Sequence, residues 1–194
     1  MKIKFVVTLL ALIVTHSVFA QEKKELSIEL KYPLPIDNNF IGENYTGIVD
    51  LGVKYNLVQK EAFAIGASLH GGLLKSSSSE DSPYRVNAFT IQPEIFVAYT
   101  HEKINPFKPY IGVGFTTMLY KSKLDKKFNN GFLESEVSSN QNGFHFNLGT
   151  TCRITEQLYI HAQYEFIKLN LSDIPETSYN TNIGLLKLGF GYKI

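Results

Sequence analysis

After Gln21, apolar and polar residues alternate one by one in segment after segment, and no helical period of three to four residues is sustained. A period of two marks a strand with one apolar and one polar face, and the Gly, Asn, Ser and Pro between segments are turn residues. The pattern predicts eight strands, over residues 25–32, 45–57, 62–74, 86–101, 109–121, 142–154, 157–170 and 181–194. A strand tilted by about 40° and rising about 3.3 Å per residue crosses an apolar band about 25 Å tall in roughly ten residues. The segments fit that length, the first only just.

One face can be followed residue by residue. It begins with Leu26, Ile28, Leu30 and Tyr32, continues through Tyr45, Gly47, Val49, Leu51, Val53 and Tyr55, and ends with Leu186, Leu188, Phe190, Tyr192 and Ile194. The opposite face carries Glu29, Lys31, Asp50, Lys54, His70, Gln92, Glu94, Arg153, His161, Gln163, Glu165 and Lys187. Alternation alone does not say which face points inward, because a soluble sandwich buries its apolar face and a membrane barrel turns the same face to lipid. Connection lengths decide it. Links 33–44, 75–85, 122–141 and 171–180 are long and polar, whereas 58–61, 102–108 and 155–156 are short. Strict long and short alternation puts every long loop at one end and both termini at the other, as in an even-stranded barrel with external loops and periplasmic turns. Pro93, outward on the fourth strand, lacks a ladder donor and predicts a bulge or local unpairing.

The start of the chain changes the picture from barrel to exported barrel. Met1 to Lys4 is basic, residues 5–14 are apolar, and Val18-Phe19-Ala20 reads as a cleavage site, so residues 1–20 are expected to be a signal peptide and 21–194 the mature barrel. Cys152 is the only cysteine, which leaves no internal disulfide to form. A net charge of +1 argues against a nucleic-acid surface.

This architecture, and the closing run Leu186-Lys187-Leu188-Gly189-Phe190-Gly191-Tyr192-Lys193-Ile194, resembles the small eight-stranded outer-membrane barrels of the OmpA and OmpX type over essentially all of the mature sequence. That family usually ends in an aromatic residue, where this chain has Ile194 with Phe190 and Tyr192 in phase. The resemblance implies an all-β, eight-stranded antiparallel up-and-down transmembrane barrel in the outer membrane of a Gram-negative-type cell. It also implies contact with outer-membrane lipid and lipopolysaccharide, and recognition of the C-terminal strand by the insertion machinery. Tyr and Phe at strand ends fit interfacial girdles, with Tyr32, Tyr45, Phe144 and Phe166 near the loops.

The candidate chemistry lies on the polar face. An eight-stranded barrel is just wide enough for side chains to fill it, so Glu29, Asp50, Glu94 and Glu165 must find Lys31, Lys54, Arg153 and Lys187 across the lumen. With the last strand closing on the first, Lys187 is expected at the centre, between Glu165 and Glu29 with Asp50 next along. The bland reading is packing and register; the sharper one is a gated proton or ion path. His70, His145 and His161 also face inward, and two histidines with Glu165 or Asp50 have the donor types of a metal site, against hydrogen-bonded lumen histidines. No tight ligand spacing supports a metal, and neither a cofactor nor a catalytic residue is indicated.

The loops remain as candidates for an extracellular ligand. Residues 75–83 read as a solvated turn. In 122–141, Lys123, Lys126 and Lys127 precede Asn129-Asn130-Gly131, and Glu134 and Glu136 follow, which predicts a hairpin rising above the membrane with cross-strand charge pairs. The function expected is a structural or surface-interaction barrel without an open pore. The alternatives are a soluble periplasmic carrier of lipocalin type, with the apolar face inward, and a lipid-modifying barrel enzyme.

Overall fold

A computed structural model describes residues 25–77, 84–124, 136–171 and 176–194; the expected signal peptide lies outside them. The strands are β1 (Glu25–Ile36), β2 (Tyr45–Lys60), β3 (Phe63–Ser76), β4 (Tyr84–Tyr99), β5 (Phe107–Leu124), β6 (Glu136–Arg153), β7 (Leu158–Asn170) and β8 (Asn182–Lys193). Each pairs antiparallel with its sequence neighbour, and β8 closes on β1 to make a barrel.

The apolar face points out. Ile95 and Val113, partners on β4 and β5, are 62% and 59% exposed, whereas Glu29, Asp50, Glu165 and Lys187 are buried inside. An inward-facing apolar lumen, as a lipocalin-type carrier requires, is thereby ruled out for most of the barrel's height. The short links are a turn at residues 61–62, a segment containing a 3-10 turn (Glu102–Ile104), and residues 154–157.

Two expectations are corrected. β1 does not stop at Tyr32: Pro33 to Ile36 continue along β8, opposite Lys187 to Gly184. On the other side, β1 pairs with β2 only as far as Lys31, because Pro33 and Pro35 have no N–H to offer that ladder. Tyr45 and Gly47 face inward, not outward, because a register shift between Gly47 and Val49 inserts Ile48 as a bulge and reverses the alternation. The girdle therefore loses Tyr45 and the outer wall gains Ile48. At Pro93 the expected local unpairing is found on the β5 side, where Gln92 and Pro93 have no partner between the pairs Ile91 with Thr117 and Glu94 with Gly114 and the register does not shift, while the β3 side keeps the pair Leu69 with Pro93.

Two short helices cover the loop end. α1 (Phe40–Asn44) starts at Asn39, whose side chain accepts from Gly42 N at 2.8 Å, and α2 (Ser178–Thr181) starts at Thr177 in the same way, accepting from Asn180 N. Tyr179 of α2 donates to Glu43 of α1 at 2.7 Å, and its ring meets Phe40 edge-on. The helices thus cap the barrel as a pair.

Candidate functional site in the barrel interior

The lumen is layered. Alternation on β2, β4, β7 and β8 aims Asp50, Gln92, Glu165 and Lys187 at one level, where Lys187 Nζ lies 2.8 Å from Asp50 Oδ2 and 2.9 Å from Glu165 Oε2. Lys187 also donates to Gln92 Oε1 at 2.9 Å, and Gln92 Nε2 donates to Glu165 Oε1 at 2.7 Å. Two carboxylates and an amide thus use all three ammonium protons. A buried pair is tolerable when its remaining donors and acceptors are satisfied in this way.

A second cluster surrounds Glu29, with Lys31 Nζ at 3.0 Å and Tyr159 Oη donating at 2.8 Å. His70 links the clusters, its Nδ1 3.2 Å from Asp50 Oδ1 and its Nε2 3.8 Å from Glu29 Oε2. His161 Nδ1 is 3.5 Å from the same Glu29 oxygen, and its Nε2 meets the Tyr110 hydroxyl. Glu94 heads a third cluster: it accepts from Ser68 Oγ at 3.3 Å and from Asn147 Nδ2, with His145 Nε2 at 3.3 Å. Gln163 bridges, accepting from Lys31 Nζ and donating to Glu165 Oε2.

Of the residues expected to form one network, the structure therefore brings together Glu29, Asp50, Glu94, Glu165, Lys187, His70 and His161, in linked groups. Three placements differ, one of them that of Lys54, which meets the Phe96 and Tyr110 rings in place of a carboxylate. Glu29 is not a partner of Lys187, because the stagger of the closing pair sets Pro33 opposite Lys187 and Glu29 four residues lower, opposite Gly191. Arg153 is the last residue of β6, exposed at the rim, where Nη2 donates to Asn105 Oδ1 at 2.8 Å. Among the described residues no three of His, Cys, Asp and Glu converge as ligands of one metal ion.

Above the charges sits an apolar plug that sequence reading missed. Tyr45, Leu74, Ala88, Met118, Tyr120, Ile167, Leu169, Ile183 and Leu185 cluster inside the loop end, and Ile41 of α1 closes over them. The signal was present as breaks in alternation, at Leu73-Leu74 and Leu185-Leu186, where both faces are apolar. Below the charges, Lys54 Nζ lies 4.1 Å from the centre of the Phe96 ring and 4.0 Å from that of Tyr110. From end to end, then, the interior offers a cationic mouth, a hydrogen-bonded ionic middle and an apolar stopper.

Residues 6–193 match the outer membrane protein beta-barrel domain family. No curated protein sequence matches the chain. Among solved structures, Ail, the attachment invasion locus protein of Yersinia pestis, is 15% identical with a TM-score of 0.55, the match covering 88% of this chain and 97% of Ail. Neisserial surface protein A is 10% identical at 0.59, covering 89% and 98%, and a major outer membrane protein from Thermus thermophilus is 13% identical at 0.59, covering 89% and 100%. Ail has also been crystallised with the heparin analogue sucrose octasulfate. At these identities the likeness is one of fold.

Proposed function

Because the chain belongs to the outer membrane protein β-barrel family and so resides in the outer membrane of a Gram-negative bacterium, we propose that it is a closed barrel that presents a surface-interaction platform. The observation that carries this reading is the tall β4–β5–β6 sheet. β6 pairs with β5 from Glu136 onward but with β7 only from Asn142, so residues 136–141 rise beside β5 with their other edge uncovered among the described residues. An uncovered strand edge offers a row of backbone donors and acceptors to an incoming strand, and β-strand addition is the recognition mode it suits. Lys123 stands opposite Glu136 in this hairpin; Lys126, Lys127, residues 129–131 and Glu134 lie outside the described residues. The co-crystal of Ail with a sulfated sugar supports an interaction role for barrels of this fold.

The filled interior supports the absence of a pore, and the lumen network serves packing and register in this reading. The outer wall suits lipopolysaccharide: above the lipid-facing Phe89 and Leu119, one rung carries Lys75, Asn87 and Lys121 on β3, β4 and β5, and the next Arg85 and Lys123, all basic partners for lipid phosphates apart from Asn87. β8 serves as the signal for the insertion machinery.

Removing residues 121–138, which keeps Leu119 paired with Asn140 and leaves Tyr120 and Ser139 as the turn, should give a folded barrel and abolish adhesion of displaying cells to protein-coated surfaces. Equal adhesion by the trimmed protein defeats the platform. The pure protein in planar bilayers should show no steady conductance, and a stable ohmic current defeats the closed barrel.

A further inference from the structure

At the end opposite the loops, the lumen opens into a concave vestibule whose floor is Lys54 and whose wall includes Lys108, Arg153 and Lys193. These cations come from β2, β5, β6 and β8, so they surround the mouth instead of lining one side. Among the described residues one acid stands against them in the vestibule, Glu25, already 3.0 Å from Lys193 Nζ. Glu61 and Glu102 lie in the adjoining cleft beside Lys108 and Arg153, both exposed on the turns.

Lys54 is the informative residue. Its ammonium rests between the Phe96 and Tyr110 rings, and no carboxylate lies within ion-pairing distance of it among the described residues. The carboxylates deeper in the lumen are engaged elsewhere, Glu29 by Lys31 and Tyr159, Glu94 by Ser68, His145 and Asn147. Thr100 adds a buried hydroxyl in the same wall with no hydrogen-bond partner. A half-buried ammonium whose direct contacts among the described residues are ring faces, a donor hydroxyl and two further cations from other strands line one mouth that has room for an anion.

The geometry points to a binding site for a small phosphate-bearing solute of the periplasm at this mouth, with Lys54 as its floor and Lys108 and Arg153 closing on it. Lys54, Lys108 and Arg153, cations placed around the mouth by three strands, match a tetrahedral oxyanion, which presents oxygens in every direction. A planar carboxylate presents two oxygens on one side. Arg153 supplies the forked donor set that phosphate oxygens accept. The site is independent of the loop platform, which lies at the other end of the barrel.

The test is calorimetric titration of the folded, detergent-solubilised protein with inorganic phosphate, and separately with succinate, at low ionic strength. One saturable phosphate site is expected. It should weaken by about tenfold in Lys54→Met and in Lys108→Gln, the effect of losing one charge-assisted hydrogen bond. Lys103→Gln, on the exposed 3-10 turn, should not change it. Heat-dependent gel mobility verifies that each variant folds, and Lys108→Gln carries the test if Lys54→Met does not. No saturable phosphate binding, binding that neither variant weakens, or succinate bound as tightly as phosphate would each overturn the assignment.

Discussion

Lys187 concentrates the energetic stakes of the interior at one residue. It is buried, and both Asp50 and Glu165 depend on it for their counter-charge. Lys187→Met fills similar space but leaves two carboxylates facing each other in the lumen. Breaking a buried pair in this way costs about 3–5 kcal/mol, to be read as a lower urea midpoint in lipid vesicles. Adding Asp50→Asn and Glu165→Gln should restore most of the loss, and no recovery would mean that packing, not charge, set the cost. Outside the membrane, the hydrogen bond from Tyr179 to the Glu43 carboxylate holds the Tyr179 phenol above its ordinary range. The tie between α1 and α2 is therefore fully present below the usual tyrosine pKa of about 10 and lost only as pH rises through the higher folded value. An ultraviolet tyrosinate titration, referenced to Tyr179→Phe, should show Tyr179 ionising at lower pH in Glu43→Gln.

Single residues also control whole elements. The extra residue Ile48 turns Tyr45 into the plug, where its ring packs edge-on against Tyr120 at 6.3 Å. Deleting Ile48 should restore strict alternation, send Tyr45 to the lipid side and open the loop end of the lumen; measurable conductance in a variant that still folds is the expected sign. On β8, Gly191 has no room for a side chain, because a Cβ there would lie 2.0 Å from Cζ of Tyr159. Gly191→Ala must displace the ring that donates to Glu29, and overpacking of this kind costs about 1–3 kcal/mol, readable in the same urea unfolding.

For the molecule as a whole, the direction of the apolar face is the property on which the rest depends. Val113 lies near mid-height on β5 and points outward. Val113→Arg should cost about 2–4 kcal/mol in a bilayer, the expected penalty for a cation at the lipid midplane, whereas Lys103→Gln on the periplasmic turn should be neutral. Comparable stability of both variants in vesicles would contradict a membrane-spanning wall. Boiled and unboiled samples of the wild type should migrate differently, as a closed barrel that resists detergent does.

The period of two, the eight segments, the alternation of long and short links and the sidedness of the charges were all present in the sequence. Each is local: a strand's face is set by its neighbours two residues away, and a link's length by counting. Glu29, Asp50, Glu94, Glu165 and Lys187 could be placed in the lumen on that basis. Which of them touch was a matter of stagger between strands far apart in the chain, and only ring closure fixed Pro33, not Glu29, opposite Lys187. The bulge at Ile48 likewise became visible only when β3 supplied a partner strand to count against. The apolar plug and the cationic mouth are products of eight strands converging on one axis. No single segment contains them, because residues from opposite walls meet there only once the sheet has closed.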